Sequence, residues 1–194
     1  MKKTFCYIIG ILSLGMLATG CESTPKSKSI IPDIDVDMTS EEVFAVVGEK
    51  YDNCITTETY KNTIEYDYIL NDDEVFDTGL KGYMFFEFES QTDKLVTFGY
   101  HFGAEGSPEN PLYPCSKEEL KTAYDKITET LSEWYGEGEF SDENLELNVC
   151  EEYTWQDDNK QLWAVYGVNL WGYGEPNSYE EGVNEIVVSC TSKF

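Results

Sequence analysis

Gly82-Tyr83-Met84-Phe85-Phe86-Glu87-Phe88-Glu89-Ser90-Gln91-Thr92-Asp93-Lys94-Leu95-Val96-Thr97-Phe98-Gly99-Tyr100-His101-Phe102 alternates apolar with other residues on both sides of a short polar turn. A period of two marks a strand with one buried face. The spacing predicts strands over Gly82–Glu89 and Lys94–Phe102, joined as a hairpin through Ser90–Asp93. Met84, Phe86 and Phe88 share a face on the first strand; Val96, Phe98, Tyr100 and Phe102 share one on the second. His101, the chain's single histidine, falls on the other face with Leu95, Thr97 and Gly99, and is expected to point to solvent.

Working outward, Thr63–Leu70 reads as a third strand of this half. Ahead of it, Met38-Thr39-Ser40-Glu41-Glu42-Val43 begins like a helix: a hydroxyl cap, with Glu three residues later to close a capping box. The same signature recurs at Cys115-Ser116-Lys117-Glu118-Glu119-Leu120. The first helix is expected to stop near Gly48. The second carries Leu120, Ala123, Tyr124, Ile127, Leu131 and Trp134 at helical spacing and is expected to stop at Gly136. Glu152–Gln156, Gln161–Trp171 and Asn184–Thr191 follow as strands. The expectation is an α+β protein of two tandem α-β-β-β repeats, residues 38–110 and 111–194, packed as two layers.

This element order resembles the tandem repeats of β-lactamase-inhibitor-protein-like domains and the related small outer-membrane lipoproteins. The resemblance covers about residues 38–194 and carries no diagnostic motif. It implies two α/β layers side by side, with an aromatic sheet surface available to a protein partner.

At the other end of the chain, Lys2 and Lys3 precede an uncharged run from Phe5 to Ala18. That run is too short for an ordinary membrane-spanning helix, which needs about 20 residues, and has the build of an export signal. Leu17-Ala18-Thr19-Gly20-Cys21 resembles the lipobox of bacterial lipoproteins, with Ala18 where the family more often carries Leu. The resemblance implies that residues 1–20 are a cleaved signal peptide and that Cys21 carries a diacylglyceryl thioether. Residues 21–37 are then expected to be the lipidated cysteine and a flexible tether averaging roughly 20–25 Å end to end. The expected location is the cell membrane or outer envelope, lipid-anchored and facing away from the cytoplasm.

The full chain carries a formal charge of −25, with 13 basic residues, all Lys, against 38 acidic ones. Removing Lys2 and Lys3 with the signal moves it to −25 − 2 = −27. Such acidity, with no arginine, excludes nucleic acid as a partner, because lysine and arginine contacts to phosphate supply most of that affinity. Besides Cys21 and Cys6, four cysteines remain: Cys54, Cys115, Cys150 and Cys190. Their even number in an exported chain predicts two disulfides, with three pairings open; buried thiols are the other reading.

No cofactor, metal or catalytic motif emerges. Asp33-Ile34-Asp35-Val36-Asp37 starts like a calcium loop, but an EF-hand needs Gly and Glu where Met38 and Phe44 stand. Asn71-Asp72-Asp73 and Asp157-Asp158-Asn159 read as solvated turns. Trp171-Gly172-Tyr173-Gly174-Glu175-Pro176-Asn177-Ser178-Tyr179 alternates rings with glycines, a pattern suited to an exposed recognition loop. Trp171, Tyr173, Tyr179 and Trp163, with Trp155 nearby, are the candidate contacts for a protein or sugar partner. The competing assignment puts these rings in the core. The expected function is non-enzymatic binding or assembly at the membrane; the alternative is a carbohydrate- or cell-wall-associated hydrolase working through Asp and Glu.

Overall fold

The fold is described from a computed structural model covering residues 28–48, 54–60, 62–70, 75–80, 82–103, 116–144, 149–168 and 184–193. Both helices begin where the capping boxes place them. In α1 (Ser40–Val47), the Thr39 hydroxyl accepts the Glu42 amide and the Glu42 carboxylate accepts the Thr39 amide. In α2 (Lys117–Tyr135), Ser116 and Glu119 repeat the exchange. The backbone amides of Thr39 and Ser116, followed by their hydroxyls, hold both glutamates below the usual carboxylate range. Each hydroxyl cap contributes about 0.5–2 kcal/mol, and α2 ends at Gly136 in a positive-φ conformation (88°).

The strands are β1 (Cys54–Tyr60), β2 (Thr63–Ile69), β3 (Gly82–Glu89), β4 (Lys94–Phe102), β5 (Glu139–Asn144), β6 (Val149–Gln156), β7 (Lys160–Val168) and β8 (Asn184–Ser192). They form one antiparallel sheet in the order β1-β2-β3-β4-β8-β7-β6-β5. Two tandem α-β-β-β units packed as two layers are therefore not what forms, and the layered arrangement implied by the resemblance falls with them. The cause is the inner face of β4. Phe98, Tyr100 and Phe102 stand opposite Cys190, Val188 and Ile186, so the two meanders share one apolar surface instead of burying two.

Each meander also has a fourth strand that the sequence pattern does not announce. β1 and β5 are the two edges of the sheet. β5 reads Glu-Phe-Ser-Asp-Glu-Asn, and a charged edge of this kind resists pairing with another chain.

Both helices cover the same face of the sheet. Val43 and Val47 of α1, and Leu120, Ala123, Tyr124, Ile127 and Leu131 of α2, join one core with Phe86, Phe88, Phe98, Leu162, Ala164 and Val188. The Tyr124 hydroxyl donates to the Ala164 carbonyl at 3.1 Å. A bulge shifts the hairpin register so that Phe88 faces Leu95, while Glu87 faces Thr97. Leu95, not Val96, thus enters the core, which corrects the simple alternation.

The tether expected over residues 21–37 is also shorter. Ile30, Ile31 and Ile34 are buried in the same core. The Asp37 amide donates to the Leu95 carbonyl, the Leu95 amide donates to the Met38 carbonyl, and Lys160 pairs with Asp35 at 2.9 Å. Of the aliphatic residues interleaved with the acids of this segment, Ile34 is a core residue and Val36 packs against the core.

Candidate functional site

Where α1, α2 and the segment around Ile30 meet over the sheet, a cleft of about 590 Å³ remains. Its walls are Ile30, Ile31 and Pro32 from the N-terminal segment, Val46 and Val47 from α1, and Lys126, Thr130 and Trp134 from α2; Met84 and Tyr100 form the floor. A 3₁₀ turn, Val75–Asp77, closes one side. Helix length accounts for the gap among the described residues: α1 has eight residues, against nineteen in α2. A cleft of this size suits a small ligand.

Phe76 is the chief aromatic of the turn, 5.7 Å from the Tyr100 ring and 5.9 Å from the Trp134 ring between centroids. Phe76 and Asp77 have φ values of 53° and 51°. Two successive non-glycine residues in the left-handed region store backbone strain, a feature concentrated at ligand clamps and functional turns. Lys126 holds the turn down, its ammonium donating to both the carbonyl and the carboxylate of Asp77. Hydrogen bonding to Lys126, then its charge, keeps the Asp77 carboxyl below its usual range. Lys28 places a second ammonium 5.1 Å from the Trp134 ring centroid.

On the far side of Trp134 lies a smaller cavity of about 200 Å³, which Tyr135, Trp155, Lys160 and Cys190 help to line. Burial pushes the Cys190 thiol up to about 12 despite Lys160, so it is protonated at neutral pH and a poor nucleophile.

The candidate residues separate. Trp163 is 36% exposed on the sheet face opposite the helices, between Ser189 of β8 and Thr154 of β6. Trp155 belongs to the core, its indole donating to the Gly136 carbonyl at 2.9 Å. Trp171, Tyr173, Tyr179, Cys21 and Cys115 lie outside the described residues. His101 does not meet solvent: it is 3% exposed, with Nε2 3.5 Å from a carboxylate oxygen of Glu185, itself 2% exposed. It lies on the face away from the helices with Thr97 and Gly99, but not with Leu95, which the bulge turns into the core; β4 is flanked on both sides in the single sheet, by Tyr83 of β3 and Val187 of β8, instead of ending a three-stranded unit.

The register limits the disulfides. Cys54 aligns through Tyr68, Met84 and Tyr100 with Val188, four strands away, whereas Cys190 faces Leu162. Cys150 sits in the β6 bulge beside Gly167 and Tyr166, about four residues along the sheet from Cys190 and two strands away. At roughly 3.3 Å per residue and 4.8 Å per strand, every pair among Cys54, Cys150 and Cys190 is separated by roughly 13 Å or more. A disulfide needs Cα atoms within about 7 Å. Each way of pairing all four cysteines requires one bond among these three, so the sheet admits at most one intramolecular disulfide, through Cys115.

The cleft escaped sequence reading because its residues come from six separate segments. Only the aliphatic spacing of Ile30, Ile31 and Ile34 signalled that its first wall is ordered. Comparison with known proteins found no matching family, no similar curated protein and no similar solved structure.

Proposed function

We propose that this chain is a non-enzymatic binding protein, held at the outer side of a bacterial membrane by a lipid on Cys21, that takes an apolar ligand into the cleft between its helices. The cleft itself carries the reading. Its described lining is mostly aliphatic and aromatic, and the one carboxylate among those described residues, Asp77, is tied to Lys126. Glycoside hydrolysis needs two carboxyl groups roughly 5–10 Å apart across the substrate, so this lining favours binding over the hydrolase alternative. The lipobox-like Leu17–Cys21 supports the anchor.

A protein partner remains the second reading, favoured by Trp163. It is one of two large apolar side chains exposed among the described residues, and it lies mid-strand on the opposite face. Exposed tryptophans are frequent interface anchors. The chain's charge of −25 disfavours nucleic acid as a ligand for either surface.

All described residues lie at or after Lys28. A mature chain starting at residue 21 with Cys21→Ser therefore keeps the whole described fold without the lipid. Titrated with the neutral fluorophore N-phenyl-1-naphthylamine, this chain is expected to show saturable, single-site enhancement. Thr130→Trp, which fills the cleft from α2, is expected to remove it while leaving the circular dichroism spectrum unchanged. Unsaturable enhancement, or equal enhancement in both chains, contradicts the reading.

A further inference from the structure

We infer that the ligand of this cleft is a single-chain anionic amphiphile, a long-chain carboxylic acid whose tail lies along Ile30, Val47 and Met84 and whose head meets Lys126. The inference rests on the binding reading above and adds the chemical class of the ligand.

The cleft is graded. Its depth is hydrocarbon and aromatic, and its polar lining residues are Asp77, Lys126 and Thr130, with the Tyr100 phenol on the floor. The Thr130 hydroxyl donates back to the Lys126 carbonyl at 2.9 Å, so the head-binding group is the Lys126 ammonium. An ammonium has three N–H donors. Two point at Asp77, leaving the third for a ligand carboxylate without disturbing the ion pair. That pair is also readily exchanged, since its side chains are 45% and 95% exposed and solvent weakens such contacts.

Charge selects the sign of the head. Against 38 acidic residues the chain has 13 lysines, so most of its surface repels an anion. At the cleft, however, Lys126 is a lining residue and Lys28 stands 5.1 Å from the Trp134 ring centroid, so two ammonium groups lie at this end of the site. A carboxylate head gains a charge-assisted hydrogen bond there; an alcohol gains less, and an amine meets two like charges.

Location supplies the tail. Ile30 follows Cys21 by nine residues, so the cleft wall is at most about 32 Å of extended chain from the proposed lipid. A cleft tethered this closely can draw on membrane amphiphiles. The strained Phe76–Asp77 turn sits at its edge with the Phe76 ring between Tyr100 and Trp134, where displacement of a single ring widens the opening.

The test is competition for N-phenyl-1-naphthylamine bound to the mature Cys21→Ser chain, using oleate, oleyl alcohol and oleylamine as competitors below their aggregation thresholds. Oleate is expected to displace the probe at about tenfold lower concentration than oleyl alcohol, the worth of one hydrogen bond to a charged group. Lys126→Gln is expected to abolish the preference of oleate over oleyl alcohol, and Lys126→Arg to retain it. Equal potency of oleate and oleyl alcohol, superior potency of oleylamine, or a preference that survives Lys126→Gln overturns the inference but leaves the cleft a binding site. Failure of the wild-type chain to bind the probe overturns both.

Discussion

Gly99→Val is expected to abolish cooperative folding. Gly99 lies on β4 opposite Ser189 of β8, at the one seam that joins the β1–β4 meander to the β5–β8 meander. A Cβ at this position would stand 2.0 Å from the Val188 carbonyl oxygen and 2.9 Å from the Ser189 Cα. Both are backbone atoms, so no side-chain rotation can clear the space and the strands must part. Parting them unpairs Thr97–Phe102 from Ile186–Thr191 and splits the core that Phe98, Cys190, Tyr100 and Val188 share. Overpacking a core with side chains that can shift costs about 1–3 kcal/mol, and a backbone clash at the central seam costs more, on the order of 4 kcal/mol or above. Against a total stability of about 5–15 kcal/mol, that takes a large share of the folding free energy, and most of it at the lower end of the range. Thr97→Val, two residues away on the same face, is the control and should leave the unfolding free energy within about 1 kcal/mol of wild type. A wild-type midpoint for Gly99→Val would mean that the seam does not form as described.

Cys21→Ser in the full-length chain is expected to eliminate lipid incorporation, because only a thiol sulfur accepts the diacylglyceryl group that the lipobox resemblance implies. Cells labelled with radioactive or alkyne palmitate should show a labelled wild-type band and none for the variant, which should also be lost from the membrane fraction. The effect is all-or-none, since several acyl chains at about 0.8 kcal/mol per buried methylene hold a protein firmly, and no other anchor is proposed. Equal labelling of the two chains would end the lipoprotein proposal. It would also remove the membrane as the ligand's source, while leaving the cleft's geometry untouched.

Where a local signal decides the structure, the sequence could be read closely. The Thr39–Glu42 and Ser116–Glu119 boxes specify both helix starts, since cap and partner are three residues apart and depend on nothing distant. Lys94–Phe102 was bounded by its apolar alternation and its polar turn. The misreadings lie where a distant neighbour decides. Leu95 enters the core because a bulge, invisible in alternation, shifts its phase. His101 is buried where β8, from more than eighty residues away, flanks its strand and brings Glu185 beside it. The edge strands β1 and β5 escaped notice because an edge strand with a solvated side needs no run of apolar residues. The cleft was the least legible feature, since Ile30, Val47, Phe76, Met84 and Trp134 meet only after the sheet and both helices are in place.

That meeting point is the central claim, and side-chain methyl spectroscopy addresses it most directly. The mature Cys21→Ser chain, methyl-labelled at Ile, Val, Leu and Met, would be titrated with a neutral apolar ligand. Shift changes are predicted at Ile30, Ile31, Val46, Val47, Val75 and Met84, which line the cleft. Val165 and Val187, which flank each other on the opposite face, should not move. Perturbation of Val165 and Val187 with the cleft methyls unmoved, or saturating ligand that moves neither set, would contradict the account.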